Sequence, residues 1–309
     1  MTSQHQWNSA AIAAFVAVVV IAGVITSCAK RDNSAQMYCG PDGHLTRTAP
    51  TQSHRSYCVR VLTSVQGWRP GAPTDFAFDI VDDRGATLRK FKRVHEKIMH
   101  FIVVRHDLTQ FQHLHPVFSA ADGRFTVRGL TLPSAGPYRL FADFAPAGGM
   151  SGPDGMALPV TVPIELTVGD EGSYQPQSLP EPSDSVTVGD YEVRLAQPDT
   201  LQAGAESRLT FTIRRGRAAV SDLEPYLGAN GHAVILREGD LALIHSHALE
   251  DQAALRTGQI PFMVHFAEPG RYRVFVQFQH RGNVQTAAFT LPTVVSIPSS
   301  AGTGVHTGH

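Results

Sequence analysis

The sequence lacks the features that mark nucleic-acid-binding proteins and the common enzyme classes. Its 26 Lys and Arg residues nearly balance 27 Asp and Glu residues, giving a net charge of −1. Both signs are scattered, so there is no basic stripe to hold a phosphate backbone. No Gly-x-Ser-x-Gly elbow, phosphate-binding glycine loop, dinucleotide motif or His-Glu-x-x-His motif is present. We therefore expect no nucleic-acid partner and no enzymatic activity.

Cysteine is scarce, with three residues in 309. The first, Cys28, ends the uncharged apolar run Ala10–Ser27, and Ile25–Cys28 (ITSC) resembles the lipobox of bacterial lipoproteins, whose cysteine is lipidated. Met1–Ser9 contains no Lys or Arg, which departs from the usual signal. An uncleaved anchor, an ordinary cleaved signal and a cytoplasmic orientation are therefore the alternatives. We expect residues 1–28 to place the remaining chain outside the cytoplasm, anchored to a bacterial cell membrane.

The other two cysteines, Cys39 and Cys58, form an even pair in a short segment rich in Gly, Pro and Ser. In an exported protein this favours a disulfide, within a tether and stapled loop over residues 29–56. The alternative is a metal loop that also uses His44 and His54, although this spacing fits no common zinc pattern.

Helical periodicity is absent, and segments of strand length recur instead. They are rich in β-branched and aromatic residues and are separated by turn residues. Seven short strands in one domain predict an antiparallel β-sandwich of immunoglobulin type. The predicted strands are Tyr57–Val65, Asp75–Val81, Met99–Arg105, Phe111–Phe118, Arg124–Leu130, Tyr138–Phe144 and Val160–Val168.

Whole-domain duplication is indicated by segments that occur twice. Tyr57–Val61 (YCVRV) recurs as Tyr191–Leu195 (YEVRL), and Gly136–Phe144 (GPYRLFADF) recurs as Gly270–Phe278 (GRYRVFVQF). Repetition of separate strands in the same order indicates that one structural unit was copied. The sequence therefore predicts an all-β protein with two tandem immunoglobulin-like sandwiches.

The domain boundaries follow from a shift in composition. The segment 171–190 is rich in Gly, Pro, Ser and acidic residues, which is typical of a linker. We place the first sandwich at residues 57–170 and the second at 191–297. The last residues, 298–309, are rich in Gly and Thr and are predicted to be a disordered tail.

Six of the fifteen histidines lie in the most closely repeated stretch. Met99–Pro116 and Gly231–Ala248 align without a gap, and each contains the pattern His, twelve residues, His, one residue, His. The histidines are His100, His113 and His115, here called the first triad, and His232, His245 and His247, here called the second triad.

The Gly239-Asp240 pair predicts a hairpin with a two-residue turn, of type I′ or II′. This turn sets the register, and cross-strand partners and residues two apart share one face of a hairpin. Each triad would then project from a single face. The predicted pairs are His232 with His247, Val234 with His245 and Leu236 with Leu243, and in the first copy His100 with His115, Ile102 with His113 and Val104 with Phe111.

The predicted histidine face also carries Ile102, Val104 and Phe111, so we expect it to look into the core of its own sandwich. Each triad would lie at the mouth of that core, where several loops converge. Residues that those loops would bring to the triads are His95, Glu96, Met150 and Met156 in the first domain and Tyr226, Asn230 and His280 in the second.

Three neutral imidazoles suit zinc, copper or nickel, and an added thioether from Met150 or Met156 favours cuprous ion. We therefore expect copper, with zinc as the alternative. Ligation requires neutral imidazole, so affinity should weaken as pH falls through about 6.5. The alternative is that the histidines pack or donate hydrogen bonds, since gene duplication also copies structural residues.

The segments His95–His100 (HEKIMH), Val103–Arg105 (VVR) and Gln112–Pro116 (QHLHP) resemble bacterial exported proteins with a YtkA-like domain. These are small β-sandwich modules often attached to copper or heavy-metal handling. The resemblance extends to both copies, although the second lacks the Glu, Met and Pro of the first.

The resemblance implies a metal-related role. Together with the lipobox-like segment and the two triads, it leads us to expect a membrane-tethered extracytoplasmic protein that buffers, delivers or senses a transition metal, with a metal-transport or envelope protein as partner. The alternative is a cell-envelope interaction module whose histidines are structural. Catalysis through metal-bound water is a third and weaker interpretation, since only Glu96 offers an evident general base.

Overall fold

The computed structural model describes residues 36–39, 57–151, 157–170 and 172–296. Within these ranges the chain forms antiparallel strands and one short helix, α1 (Gln252–Leu255). The prediction of two tandem immunoglobulin-like antiparallel β-sandwiches is confirmed. Among the described residues, no helix has the length and apolar character needed to cross a lipid bilayer.

The first sandwich contains ten strands in the described part of the chain. They are β1 (Gln36–Cys39), β2 (Tyr57–Val61), β3 (Thr74–Asp82), β4 (Phe91–Lys92), β5 (His100–Arg105), β6 (Gln112–Leu114), β7 (Val117–Ser119), β8 (Arg124–Leu130), β9 (Gly136–Pro146) and β10 (Val160–Val168). One sheet has the order β1-β2-β3-β8-β7 and the other has the order β10-β9-β5-β6, with β4 paired to β9.

The second sandwich repeats this arrangement with nine strands among the described residues. They are β11 (Ser185–Val188), β12 (Tyr191–Ala196), β13 (Glu206–Arg215), β14 (Ala218–Ala219), β15 (His232–Arg237), β16 (Leu243–His247), β17 (Gln259–His265), β18 (Tyr272–His280) and β19 (Asn283–Thr290). One sheet has the order β11-β12-β13-β14, with β17 on β13, and the other has the order β16-β15-β18-β19. The strands β15, β16, β18 and β19 therefore correspond to β5, β6, β9 and β10.

The strand β5 is buried on both of its faces. Phe101 and Val103 pack into the core of the first sandwich, whereas Ile102 and Val104 belong to a different apolar cluster. Because side chains alternate along a strand, the second pair points away from the first sandwich's own core. The strand β15 behaves in the same way. Ile235 packs into the core of the second sandwich, whereas Val234 and Leu236 belong to the same apolar cluster as Ile102 and Val104, here called the shared cluster.

The shared cluster joins the two histidine-bearing sheets through their outer faces. Phe111 of the first sandwich and Phe275 of the second stack with ring centroids 4.1 Å apart and planes 5° apart. Between the sandwiches the Arg139 guanidinium also donates to the carbonyl of Asp240. The buried members of the cluster are Ile102, Val104, Leu108, Phe141, Leu179, Val234, Leu236, Leu241 and Phe275.

The expectation that the histidine face looks into its own core is therefore wrong. The residues His100, Ile102 and Val104 alternate with the true core residues, and they point toward the other sandwich. The apolar side chains on this face do bury themselves, but against a second domain rather than within their own. Both triads consequently lie where the two sandwiches meet.

The predicted strand Phe111–Phe118 is two strands in different sheets. The strand β6 pairs with β5, whereas β7 pairs with β8 in the opposite sheet. Pro116 lies between them, and proline has no N–H for a ladder hydrogen bond, so the chain leaves one sheet there and enters the other.

Two boundaries also differ from those predicted. The segment expected to be only a tether contributes β1, which pairs with β2, and Cys39 and Cys58 are disulfide-bonded partners across that pair. Both sulfurs are thus committed, so neither is a free thiolate for a metal loop. The predicted linker contributes β11, which pairs with β12.

Several sequence-based predictions lie outside the described residues. They concern the apolar segment with Cys28, the proposed loop ligands His44 and His54, the candidate ligand Met156, and the C-terminal tail from residue 298.

The interface between the sandwiches predicts that Phe275→Ala destabilises the protein by about 3–5 kcal/mol, because it removes a buried ring and leaves Phe111 without its stacking partner. Urea unfolding followed by circular dichroism measures this loss. Val117→Ala is the matched control, since Val117 is 63% exposed, and it should change stability by less than about 0.5 kcal/mol. Equal effects of the two substitutions would contradict the described packing.

Candidate metal centre

The hairpin register brings each triad to one face, as the sequence predicts. In the second sandwich His232 pairs with His247 and Val234 pairs with His245. In the first sandwich Ile102 pairs with His113, and the rings of His100 and His115 lie with centroids 5.1 Å apart. In each triad the three candidate ligand nitrogens lie within 4.8 Å of one another.

The turn in the second hairpin is longer than predicted. The N–H of Arg237 donates to the carbonyl of Ala242 at 3.1 Å, and the N–H of Leu241 donates to the carbonyl of Arg237. Glu238–Leu241 therefore form a four-residue connection, in which Gly239 and Leu241 adopt positive φ values. A two-residue and a four-residue connection share the same centre, so the predicted pairs remain in register.

The two triads form one cluster of six imidazoles at the interface. The ring centroids of His100 and His245, from different triads, are 5.1 Å apart. The centroids of His113 and His245 are 5.4 Å apart. These separations match those within a triad, for example 5.3 Å between His100 and His113. The sandwich interface therefore places two candidate metal sites side by side.

The hydrogen bonds of the first triad fix which nitrogens carry protons. Nε2 of His100 lies 3.1 Å from the carbonyl oxygen of Val94, and Nδ1 of His113 lies 2.7 Å from Oε1 of Gln277. Both oxygens only accept, so these two nitrogens donate. A neutral imidazole has one N–H, which leaves lone pairs on Nδ1 of His100 and Nε2 of His113. These two lone-pair nitrogens are 3.1 Å apart.

The second triad has an equivalent arrangement. Nε2 of His232 lies 2.9 Å from the carbonyl oxygen of Tyr226, and Nδ1 of His245 lies 2.9 Å from a carboxylate oxygen of Asp143. The remaining nitrogens of these two rings point into the triad as acceptors. Each triad is thus oriented by a backbone carbonyl of its own sandwich and by a side chain of the opposite sandwich.

Four triad nitrogens are buried without a hydrogen-bond partner in the described part of the chain. They are Nε2 of His115, Nδ1 of His232, Nε2 of His245 and Nε2 of His247. Leaving a buried polar atom unpaired costs about 1–3 kcal/mol, so a cluster of four requires an explanation. A cation bound in each triad would satisfy all of them.

Burial keeps the imidazoles neutral. It lowers the pKa of His100 to about 4, and it lowers the pKa of His115, His232 and His247 to about 2. Burial also lowers the pKa of His113 and holds that of His245 well below its ordinary value. Neutral imidazole is the form that binds transition metals.

The predicted loop residues reach different places. His95 of the first sandwich was expected at the first triad. Its ring stacks on His247 of the second triad, with ring centroids 3.4 Å apart. Glu96, which follows it, lies beside Gly228 of the second sandwich. Tyr226 orients His232 as described, and its ring meets that imidazole edge to face.

Two other predicted loop residues, His280 and Met150, are not placed at the imidazole cluster. His280 bonds the Tyr191 hydroxyl through Nδ1 and Asp222 through Nε2, so neither ring nitrogen is free for a triad. Met150 is 57% exposed and does not line the cavity beside the cluster. Asn230 is half-buried in the connection before β15. Whether Met150 adds a thioether ligand stays a prediction.

Asp143 and Gln277 are the site residues that the sequence reasoning missed. They occupy equivalent places in the repeated segments, where Phe-Ala-Asp-Phe of the first copy becomes Phe-Val-Gln-Phe in the second. Each is only 5% exposed. A polar residue repeated inside an apolar strand was the signal that could have identified them.

A cavity of about 50 Å³ adjoins the cluster and is lined by residues of both sandwiches, including His100, Asp143, His245, His247 and Lys97. A water molecule needs about 10–15 Å³ in such a cavity, so there is room for an additional small ligand. Three neutral imidazoles with space for a fourth ligand are the donor set of an open zinc or copper site.

The family comparison gives two matches in this chain. The model described as "Domain of unknown function (DUF8832)" matches residues 55–152 and again residues 186–295. Each match contains one complete triad. The search of curated proteins found no significant match.

Similar solved structures are immunoglobulin-like or fibronectin-like. A marsupial T cell receptor is 9% identical, with 78% of this chain and 72% of that chain covered and a TM-score of 0.23. The D00-D0 domain of Intimin is 12% identical, with 76% and 99% covered and a TM-score of 0.19. The chicken CNTN1 FN1-FN3 domains are 9% identical, with 78% and 76% covered and a TM-score of 0.20. These likenesses say nothing about function. The family match covers most of the chain, with one match in each sandwich, so the protein belongs to the DUF8832 family.

Proposed function

We propose that the protein binds transition-metal ions, one in each histidine triad, and that it buffers, delivers or senses copper, with zinc as the alternative. The observation that carries the proposal is the 3.1 Å separation between Nδ1 of His100 and Nε2 of His113. Each nitrogen presents a lone pair, so no proton lies between them in the neutral state. A shared cation turns this repulsive contact into a favourable one.

The separation is also the right size. Imidazole nitrogens bind zinc at about 2.0–2.1 Å, and two such ligands at a tetrahedral angle lie about 3.3 Å apart. The fixed N–H groups further support the proposal, because ligating histidines usually donate their other N–H to a carbonyl or carboxylate. His100, His232 and His245 all do so.

The cellular setting is part of the proposal. The lipobox-like Ile25–Cys28 and the resemblance to YtkA-like domains support a lipid-anchored protein outside the cytoplasm of a bacterium. There the protein would exchange metal with a transport or envelope protein, and the two sandwiches would hold the ions until transfer.

Metal titration tests the proposal directly. We expect the purified protein to bind two ions of Cu(I), Cu(II) or Zn(II), and either His113→Ala with His115→Ala or His245→Ala with His247→Ala to reduce this to one. Isothermal calorimetry and metal analysis after dialysis measure the stoichiometry. His265→Ala is the matched control, since this histidine is exposed on β17, and it should leave two ions bound. Wild-type protein that binds no metal and melts unchanged with copper would favour an interaction module.

Lowered histidine pKa values also govern the response to acid. An unfolded histidine has a pKa of about 6.5, whereas burial lowers that of His100 to about 4. Between these values the unfolded chain binds protons that the folded protein does not, so the stability is complete above pH 6.5 and declines as pH falls toward 4. In the folded protein, protons compete with metal for the imidazoles only below the lowered pKa values. Metal affinity should therefore persist below pH 6.5, the value at which the sequence alone predicts that it weakens.

We therefore predict that the melting temperature of the metal-free protein falls steadily as pH is lowered from 6.5 to 4. A variant with His115→Gln and His247→Gln lacks two of the groups with strongly lowered pKa values, so its melting temperature should depend less on pH over this interval. Differential scanning calorimetry at matched ionic strength measures both. Equal pH dependence in the two proteins would show that these imidazoles are not held neutral by the fold.

The anchor is testable independently of the metal. Cys28→Ala should abolish incorporation of labelled fatty acid and release the protein from the membrane fraction, whereas Cys58→Ala should leave incorporation unchanged. Membrane retention of Cys28→Ala would instead favour an uncleaved anchor.

A further inference from the structure

The two triads differ in one buried partner. His113 donates to the amide oxygen of Gln277, which belongs to the second sandwich. His245 donates to the carboxylate of Asp143, which belongs to the first. Gln277 and Asp143 stand at equivalent places in the duplicated strands β18 and β9. The interface is therefore nearly symmetric, but the two side chains that accept the imidazole N–H groups, Gln277 and Asp143, differ by one charge.

The Asp143 carboxylate has no basic partner from lysine or arginine in the described residues. Its contacts are His245 and the hydroxyl of Thr161, at 2.9 and 3.3 Å, and its side chain is buried. A buried carboxylate without a cation is costly. A metal ion bound by His245 would supply the missing positive charge through the ring.

The first triad has Asp143 nearby, opposite His100 across the β5–β9 pair, but its own hydrogen-bond partner from the other sandwich is uncharged. Gln277 is neutral, and its amide nitrogen is already committed to the hydroxyl of Thr286. Lys97 and Arg93 line a surface cleft together with His115. Because Lys97 also lines the cavity shared with His245 and His247, nearby positive charge does not separate the two triads. The neutral hydrogen-bond partner is what makes the first triad a poorer place for a doubly charged ion than the second.

We infer that the two triads bind ions of different charge: the second triad takes a divalent ion, Zn(II) or Cu(II), and the first triad takes monovalent Cu(I). This inference rests on the proposed function. A carboxylate that accepts an imidazole N–H makes the opposite nitrogen a stronger donor and offsets part of the ion's charge. An amide oxygen offsets the charge of the ion only weakly. Cuprous ion carries a single charge, so it needs this offset least. Asp143 is thus a positioning residue for a triad in the other sandwich.

Isosteric substitutions test the inference with each triad isolated. The second triad is isolated in His113→Ala with His115→Ala, and the first in His245→Ala with His247→Ala. In the isolated second triad, Asp143→Asn should weaken Zn(II) about 10- to 100-fold, with much less effect on Cu(I). Competition with chromophoric chelators measures both affinities, and the visible absorption of Co(II) reports the ligand geometry.

The reverse substitution guards against misfolding as an explanation. In the isolated first triad, Gln277→Glu should strengthen Zn(II) binding at least tenfold while Cu(I) changes little, and a gain of affinity cannot come from a misfolded protein. Asp143→Asn that weakens both ions equally, or neither, overturns the inference, as does Gln277→Glu without effect on Zn(II). Equal ion preferences of the two isolated triads also reject it and leave the proposed function standing. Wild-type protein that binds no ion rejects both.

Discussion

Six neutral imidazoles lie buried or half-buried where two β-sheets meet, and the arrangement of the interface depends on how their nitrogens are satisfied. In the first triad, hydrogen bonds to Val94 and Gln277 use the only N–H of His100 and of His113, which leaves two lone pairs facing each other. Burial makes protonation unfavourable, so a proton does not relieve this contact at neutral pH. A metal ion can satisfy several converging lone pairs at once, and this requirement links the fold to the proposed function.

The domain interface and the histidine cluster support each other. Stacking of Phe111 on Phe275 and the surrounding apolar cluster hold the two sheets face to face, and this shields most of the imidazole surface from water. In return, the side chains that orient one triad come from the opposite sandwich, so neither site is complete in an isolated domain. Duplication placed the same hairpin in both sandwiches, and near-symmetric docking brought the two copies together. The single exchange of carboxylate for amide then distinguishes two sites that the repeat would otherwise make alike.

Much of the local structure could be predicted because it depends on short-range chemistry. Alternation of side chains and the centre of a Gly-Asp turn placed each triad on one face, and this held even though the connection has four residues rather than two. The direction of that face was predicted wrongly. Periodicity shows which residues share a face but not what covers it, and the run His100–Arg105, apolar on both faces, already indicated a strand covered on two sides.

The sequence by itself determined the two sandwiches, the disulfide partners and the histidine spacing, because strand patterns and turns act over a few residues. Only the tertiary structure decided that the triads face each other, that His95 stacks on His247, and that Asp143 and Gln277 orient imidazoles of the opposite domain. These contacts join residues about 100 or more positions apart, and they depend on how two finished surfaces dock. No local pattern encodes that docking, which follows from burying the outer faces of two sheets that each sandwich alone would leave exposed to water.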